Sequence, residues 1–445
     1  MIASTSTLSN LQRTLLWCLI AIVFFAPWPL GSNRIWAWSL LHGLIAMVAI
    51  GHVLVCARFR QPWWHHPYQA LIVAGPLLVA GILVLQLHNL AGFSTHDSFQ
   101  SSMMLQRSLY LALFLYLISH YCRSHDDLKL LLAGIVVTGT LQAAYGSGMY
   151  LAGMHGSWFF NLPELDRARG SFVYQNHFAN FIALCLALAI GWMLSELSRK
   201  TSSLNLKQWL RAISTALLSS KVLLRLAIVV MVLALVMSRS RMGNAGFFAA
   251  LAIVALLALW LYRDPPRWLK PVVLSIFVLD MIIIGSMFGV DKVKERLQET
   301  SFASETRDEV VLHSLPLLQE HWLTGTGGGS FYTVFPGWQQ FSFSGFYDHA
   351  HNDFLQFAIE LGLPVTLLLG LWVLAALVLA LRTMQVRSTR LYQGVGFGAA
   401  MAIVHMLFHS SVDFSLQAPA NTLLFCTILA MAVMARYLPA KRRHS

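Results

Sequence analysis

Two histidines and an aspartate stand close together where a long polar segment ends, in the run His349-Ala-His351-Asn352-Asp353. The polar segment covers residues 291–348, and an apolar stretch follows from Phe354. A neutral imidazole can accept the proton of a hydroxyl group, which makes it a general base. The pattern predicts that chemistry takes place where this segment meets the following helix.

The order of residues predicts which histidine acts. Asp353 and Gln356 have the spacing of a helix N-cap and its reciprocal partner. His351 would then lie just ahead of a helix N-terminus, whose positive dipole end favours the neutral imidazole. His351 is the predicted base, supported by His349, Asn352 and Asp353. Each histidine could instead bond a backbone carbonyl, and Asp353 is favoured as a cap over a catalyst. A two-histidine metal site is disfavoured because no third ligand is suitably spaced.

Arginines occur in two pairs between apolar stretches, Arg167 with Arg169 and Arg239 with Arg241. An arginine in a span costs about 2.5–3.5 kcal/mol at the centre of a bilayer and less near its surface. Its rigid fork suits phosphate oxygens, so two such turns facing one cavity would clamp a diphosphate. The alternative is an interfacial anchor that reaches the headgroups. Arg307, in the long polar segment, could instead pair with neighbouring carboxylates.

Further polar residues occur at the ends of, or inside, two apolar stretches. Asn176 and His177 begin one of them, where they could cap a helix or contact an acceptor or a phosphate. His405 and His409 are one helical turn apart in a later stretch and look like a buried polar pair. Asp413 lies just beyond them.

The elements that position these residues are transmembrane helices. Of the 445 residues, 57% are hydrophobic and only 11% are charged, which excludes an ordinary soluble globule. A helix of about 20 apolar residues crosses the hydrocarbon core. We predict an all-α integral membrane protein, a single polytopic domain over residues 1–445, with about twelve spans. They cover residues 13–31, 36–56, 70–87, 105–121, 128–152, 177–195, 222–238, 243–262, 271–289, 354–381, 394–412 and 420–437.

The basic residues predict the orientation. With twelve spans, 21 of the 31 lysines and arginines fall on one face, which predicts cytoplasmic termini and one long outer loop over residues 290–352. We expect short helices in 306–321, split at Pro316, then a flexible turn over 325–330. A cytoplasmic surface helix is expected within 196–221. The net charge of +12 then mostly reflects the excess of basic residues on the cytoplasmic face of the membrane protein. No nucleic-acid-binding motif is recognised. The outer face keeps Arg34, Arg107, Arg167, Arg169, Arg239, Arg241, Lys292, Lys294, Arg296 and Arg307.

The cysteines give no sign of an external disulfide framework. All of them lie in predicted spans or at their cytoplasmic ends. No Cys-x-x-Cys and no other spaced cysteine–histidine metal pattern is recognised. The first span lacks a small-x-small cleavage pattern, so we expect a retained anchor and not a signal peptide. The cysteines are Cys18, Cys56, Cys122, Cys185 and Cys426.

Three motifs resemble the O-antigen ligase and O-antigen polymerase family of bacterial membrane glycosyltransferases. The first, Arg-Gly-Ser-Phe-Val-Tyr-Gln-Asn-His-Phe-Ala, begins at Arg169, and the second, Ser-Arg-Met-Gly, covers 240–243. The third joins Gly-x-Gly-x-Gly-x-Phe at 325–331 to His-Asn-Asp-Phe-Leu-Gln at 351–356 and Glu-Leu-Gly at 360–362. The resemblance covers about residues 170–365, the expected family core. At position 174 this chain has tyrosine, where the family often has asparagine.

The resemblance implies a helical enzyme of the third broad glycosyltransferase architecture (GT-C-like). The donor would be a glycan on undecaprenyl pyrophosphate, held by Arg169 and Arg241, with Arg239 and Arg307 as further candidates. His351 would activate the acceptor hydroxyl, with inversion at the anomeric carbon and without a metal, a nucleotide sugar or another cofactor. The expected location is the bacterial inner membrane, with the active site facing the periplasm.

Two activities fit this resemblance. A polymerase joins one lipid-linked repeat to another, whereas a ligase moves the glycan to lipid A–core or to a protein. The form Asp-His-Ala-His-Asn-Asp-Phe-Leu-Gln, which begins at Asp348, looks more like polymerases of exopolysaccharide clusters, so polymerase is slightly favoured. A secondary transporter is the remote alternative, because twelve spans with both termini inside also suit a carrier. A non-catalytic partner of an envelope assembly is a further one.

Overall fold

The computed structural model describes residues 2–154, 156–160, 162, 167–196, 220–262, 307–339 and 347–440, together with positions 271, 274 and 278. Fourteen α-helices with described bounds, three short 3-10 helices and no strand occur in these residues. The 3-10 helices are Leu30–Ser32, Phe335–Trp338 and Ser415–Gln417. The α-helices are α1 (Ile2–Phe25), α2 (Ile35–Phe59), α3 (Tyr68–Leu87), α4 (Ser98–Tyr121), α5 (His125–Leu151), α6 (Gln175–Glu196), α7 (Ser220–Met237), α8 (Arg241–Leu261), α9 (Arg307–His321), α10 (Phe331–Val334), α11 (Asp353–Leu361), α12 (Leu363–Val386), α13 (Arg390–Ser410) and α14 (Pro419–Tyr437).

Ten of the described helices are long and apolar enough to cross a membrane: α1 to α6, α8, α12, α13 and α14. This confirms the prediction of an all-α, multi-pass membrane protein. The predicted span 222–238 coincides with α7, which is not among the ten. The predicted span 271–289 and the predicted surface helix within 196–221 lie largely outside the described residues.

Helices α6, α13 and α14 form the centre of the bundle. In α6 and α14, 83% of the most apolar 18-residue stretch is buried, against 17% in α12. The α6–α13 contact is the largest between helices and is close because both carry glycines there. A Cβ on Gly191 would lie 2.2 Å from the backbone oxygen of Gly394. Small residues allow such backbone approach between membrane helices.

The predicted span 354–381 is wrong at its start, because the structure divides it into α11 and α12. The break is at Gly362, whose φ of 88° lies in the region that favours glycine. A Cβ there would meet the backbone oxygen of Leu323 at 2.4 Å, and Leu363 N donates to Trp322 O over 2.7 Å. The nine-residue α11 therefore precedes the membrane-crossing helix instead of forming part of it.

The prediction that Pro316 splits the helical part of the outer loop is also wrong. Residues Arg307–His321 form one helix, α9, with Pro316 inside it. The proline removes one backbone donor, but apolar packing maintains the helix on either side. Val310 and Leu317 are fully buried in a small core shared with Leu355 of α11.

Loops that the sequence assigns to the same face contact one another, which supports the alternation of the helices. Four hydrogen bonds of 2.6–2.9 Å join them at one end of the bundle. We call this end the His351 end. The bonds are Ser171 Oγ to Pro27 O, Ala168 N to Met237 O, His96 N to Thr326 O, and Asn352 Nδ2 to Ser411 O.

Candidate active site

The ring of Phe414, between α13 and the last 3-10 helix, is the centre of an aromatic cluster at the His351 end. His349 stacks on it with centroids 4.4 Å apart, and His351 meets it edge-on at 4.8 Å. Tyr174 stacks on it at 5.6 Å and His177 meets it edge-on at 4.9 Å. The cluster joins two sequence-predicted parts, the loop before α11 and the start of α6. We keep the name aromatic cluster for these five residues.

His351 lies two residues before α11, as predicted, but the cap of that helix differs from the prediction. The N-cap is Asn352, whose Oδ1 accepts from Leu355 N over 3.0 Å. The predicted cap, Asp353, is the first helical residue instead. His351 itself has a φ of 50°, and its ring meets Tyr347 edge-on at 5.7 Å. The tight turn at His351 orients its imidazole towards the ring of Phe414.

Asp353 is a fully buried connection between helices. Its Oδ2 accepts from Ser410 Oγ at 2.9 Å, at the end of α13, and from Leu416 N at 3.1 Å. Burial raises the pKa of this carboxyl to about 8, although the hydrogen bonds from Leu416 and Ser410 oppose the shift. The proton keeps an otherwise costly buried charge neutral. Asp353 therefore fixes α11 to the segment that carries Phe414.

Gln356 does not reciprocate a cap, contrary to the prediction, but supports His349. Its Oε1 accepts from Ala350 N at 3.2 Å, and its Nε2 donates to Glu360 at 2.9 Å. Nδ1 of His349 lies within 3.3 Å of both terminal atoms of this amide. Burial lowers the pKa of His349, and the carboxylate of Asp348 partly opposes the shift.

Asn176 and Asp413 form the polar link beneath the aromatic cluster. Nδ2 of Asn176 donates to Asp413 Oδ2 at 2.6 Å and lies 2.8 Å from the hydroxyl of Tyr174. The backbone N–H groups of Phe414 and Asp353 donate to Oδ1 and O of Asp413, at 2.8 and 3.1 Å. Sequence analysis placed Asp413 only just beyond His409, since Asn176 and Asp353 are more than 50 residues away from it. Tyr174, which stands where the family often has asparagine, still supplies its hydroxyl oxygen to this network.

The two arginine turns lie side by side. Ala168 N donates to Met237 O over 2.9 Å, which joins the turn before α6 to the turn before α8. Arg167 is exposed, whereas Arg169 is partly buried, and both line a pocket with Tyr150. Burial lowers the pKa of the Arg169 guanidinium.

Arg239 and Arg241 occupy the second turn. Arg239 has a φ of 52°, and its Nη2 donates to the hydroxyl of Tyr150 at 3.0 Å. Arg241 is the first residue of α8 and is exposed. Tyr150 thus connects the second turn to the pocket of the first. Arg307 opens α9, and its side chain lies outside the described part of the structure.

A partly buried arginine that sequence analysis did not assign to the site lines an apolar cavity. The cavity, of about 230 Å³, reaches from α3 and α4 to Phe354 of α11 and to Leu416. The guanidinium of Arg107 lines it and lies 5.0 Å from the ring of Trp38. Its Nε is buried and has no hydrogen-bond partner in the described residues. The Arg107 charge also contributes to the lowered pKa of His349, after burial.

The glycine motif over 325–330, which the sequence predicts to be a flexible turn, is tightly hydrogen-bonded to α11 in the structure. It wraps the buried carboxyl of Glu360, which accepts from Gly329 N at 2.9 Å and from Phe331 N at 3.4 Å. Gly327 N donates to the backbone oxygen of Glu360 at 3.1 Å. Burial raises the pKa of Glu360 to about 7, against these hydrogen bonds. The third motif is thus a support that fixes α11, and through it the loop of His351.

A comparison with protein-family models finds a match to part of the chain. Residues 226–370 match the model of a family described as O-antigen ligase. The match includes Arg239, Arg241, Arg307 and the run from His349 to Asp353, whereas the segment around Arg169 and Asn176 lies before it. No curated protein matches the chain. The match supports the resemblance that the sequence motifs indicate.

Proposed function

We propose that this member of the O-antigen ligase and polymerase family transfers a glycan from undecaprenyl pyrophosphate to an acceptor hydroxyl. The reaction takes place at the periplasmic face of the bacterial inner membrane. The observation that carries the proposal is the aromatic cluster, in which His349 and His351 lie against Phe414. The joined arginine turns lie at the same end of the bundle, and residues 226–370 match the family model.

The arginine turns supply the donor site in this proposal. Arg169 and Arg241, with Arg239 and Arg307 in support, hold the pyrophosphate, because guanidinium groups can bind phosphate oxygens bidentately. Positively charged groups that are already in position before the reaction also stabilise the negative charge that develops on the leaving pyrophosphate. The hydrogen bond between Ala168 and Met237 supports a common site for the two turns.

The aromatic cluster with His351 supplies the acceptor site. His351 takes the proton of the acceptor hydroxyl as its oxygen attacks the anomeric carbon from the side opposite the pyrophosphate. The bond from the anomeric carbon to the pyrophosphate oxygen breaks, so that the configuration inverts and undecaprenyl pyrophosphate leaves. His349, Asn176, His177, Asn352 and Asp353 are positioning residues in this scheme, since their contacts set the loop before α11 against Phe414.

The proposed reaction is the polymerisation of repeat units of an O-antigen or exopolysaccharide. Ligation to lipid A–core or to a protein is the second candidate, and the description of the matched family favours it. The two reactions share donor and chemistry and differ in the acceptor.

The experiment compares a deletion strain complemented with wild type, His351→Ala or His88→Ala, the last an exposed control. Both the surface glycan and the undecaprenyl-linked pool are profiled. Single repeats without long polymer in the His351→Ala strain support polymerisation. Long chains stranded on the carrier lipid support ligation and overturn the choice of polymerase. If both pools match wild type, the glycan-transfer proposal is wrong and transport is the next hypothesis.

A further inference from the structure

A second group of histidines lies at the end of the bundle away from the His351 end. His52 and Cys56 are one turn apart near the end of α2, and His120 is near the end of α4. All are buried, with 2%, 4% and 1% of their surface exposed. One potential ligand atom from each lies within 4.8 Å of those of the other two. Sequence analysis recognised no such pattern because His120 is more than 60 residues away from His52 and Cys56.

A fourth potential ligand joins the group from the loop between α2 and α3. Nε2 of His65 lies 3.3 Å from Nε2 of His120. On the other side, Sγ of Cys56 lies 3.7 Å from both ring nitrogens of His52. A tetrahedral zinc ion, with bonds of about 2.0–2.1 Å to nitrogen and 2.3 Å to sulfur, sets two nitrogens about 3.3 Å apart. It sets a nitrogen and a sulfur about 3.6 Å apart. The separations between His65 and His120 and between Cys56 and His52 match these values, while His65 contacts the group through His120.

The hydrogen bonds around His52 fix its tautomer and leave the lone pair on Nδ1, where a metal ion would replace the Tyr121 hydroxyl as its partner. The hydroxyl of Tyr116 donates to Trp63 O at 2.6 Å. It therefore accepts from Nε2 of His52, 2.9 Å away. Nδ1 then has the lone pair, which faces the Tyr121 hydroxyl at 2.8 Å and Cys56. A ligating histidine whose other nitrogen donates to an oxygen is the usual outer arrangement of metal sites.

His120 and the nearby charge complete the environment. Nδ1 of His120 has no hydrogen-bond partner in the part of the chain that the structure describes, so its tautomer is not fixed from that side. Arg123 lies next to the group and donates from Nε to His120 O at 2.5 Å. A positive neighbour opposes a bare cation, so the site needs a negative ligand. The thiolate of Cys56 supplies it when the thiol proton is released on metal binding.

We propose that His52, Cys56, His65 and His120 form a site for a borderline divalent metal ion such as Zn²⁺. Three imidazoles and one thiolate are a ligand set that selects zinc over the hard ions magnesium and calcium. The ion joins the ends of α2 and α4 to the loop between α2 and α3. Cys56 is 21 residues along α2 from Ile35, or about 30 Å at 1.5 Å per residue. The role is therefore structural and separate from the His351 end.

The test uses the full chain, purified in detergent and treated with a chelator, and then titrated with Co²⁺ as a spectroscopic probe. We expect one ion per chain, with the visible absorption of tetrahedral cobalt and a thiolate-to-cobalt charge-transfer band. Cys56→Ser loses the charge-transfer band, and His120→Gln weakens binding at least tenfold. Cys426→Ser, a buried cysteine of α14, is the matched control and keeps both features. Absence of binding in the wild type, or an unchanged band in Cys56→Ser, overturns the proposal.

A second measurement does not depend on the folding of any variant. The thermal midpoint of the metal-free wild type is recorded before and after one equivalent of Zn²⁺, and again after excess chelator. Because the ion binds only the folded site, we expect a rise that the chelator reverses. A midpoint that does not respond to Zn²⁺ overturns the proposal.

Discussion

The side-chain amide of Asn176 donates a 2.6 Å hydrogen bond to Oδ2 of Asp413 and thereby joins the first turn of α6 to the segment after α13. The other oxygen of Asp413 accepts from the backbone of Phe414, and its carbonyl accepts from the backbone of Asp353. Asp413 thus joins the segment of Phe414 to α6 through its carboxylate and to α11 through its backbone carbonyl. His349 and His351 both contact that ring. The geometry of the proposed base therefore depends on a residue in a different motif.

The first prediction concerns this link. In Asn176→Ala the carboxylate of Asp413 loses a donor, and a hydrogen bond to a charged group contributes about 1.5–3 kcal/mol. We expect glycan transfer to fall by about tenfold or more, and Asn176→Asp to be worse because two carboxylates would face each other. Transfer is measured in membranes beside the thermal midpoint of the purified protein. Asn33→Ala, at an exposed position, is the control. Wild-type transfer in Asn176→Asp would contradict the role assigned to the link.

The second prediction concerns the arginine turns. Arg169→Lys and Arg241→Lys keep the positive charge but lose the planar fork. If the fork binds pyrophosphate, both variants lose at least tenfold in transfer, with an increase in the donor concentration for half-maximal rate. Arg34→Lys, on the same predicted face and exposed, is the matched control. Full activity in Arg241→Lys would remove the clamp from the mechanism.

The third prediction is a pH dependence of stability. Burial raises the pKa of Asp353 from the ordinary value of 3.8 to about 8. Between about pH 4 and pH 8 the folded carboxyl keeps a proton that the unfolded chain has released. The free energy of unfolding therefore falls as pH rises, by about 1.4 kcal/mol per unit at most for one such group, and this loss ends above about pH 8.

Asp353→Asn removes that titration while keeping an oxygen that can accept from Ser410 and Leu416. We expect its thermal midpoint to fall less than that of the wild type between pH 5 and pH 8. Glu360, whose pKa burial raises to about 7, titrates in both proteins and cancels in the comparison. Glu309→Gln, at an exposed position of α9, is the control. Parallel curves for wild type and Asp353→Asn would show that this carboxyl is ionised in both states.

The positions of the membrane-crossing helices could be predicted from the sequence because local hydropathy determines them. Ten predicted spans correspond to helices that are long and apolar enough to cross a membrane. It also predicted that His351 lies just ahead of a helix and that the two arginine pairs occupy turns. The division of the tenth span was missed, because Gly362 acts through its contact with Leu323, which hydropathy does not record.

The parts of the candidate site that could not be predicted come from tertiary contact. Asp413 and Phe414 contact residues of α6 and of the loop before α11, and nothing in their own spacing indicates this. Arg107 was counted as a basic residue of one face, whereas the fold places it in the lining of an apolar cavity. Asp353 resembled a cap in the sequence, but Asn352 takes that role because Asp353 turns inward to Ser410.

The last prediction tests whether the glycine motif is a rigid support for α11. Gly325 has a φ of +73°, and a Cβ there would lie 2.3 Å from the backbone oxygen of Glu360. The left-handed conformation alone costs a residue with a Cβ about 1–2 kcal/mol, and the contact requires backbone movement in α11. Gly325→Ala should therefore lower both the thermal midpoint and glycan transfer.

Gly370 of α12 is the matched control, since no atom lies within 4 Å of a Cβ at that position. Its change to alanine removes a helix-interior glycine and should leave stability equal or raise it by about 0.5–1 kcal/mol. Transfer should remain that of the wild type. The motif would have to be a flexible segment after all if Gly325→Ala matched Gly370→Ala in both measurements. If Gly325→Ala lowered glycan transfer but left the thermal midpoint unchanged, the substitution would act on the orientation of α11 and not on the stability of the bundle.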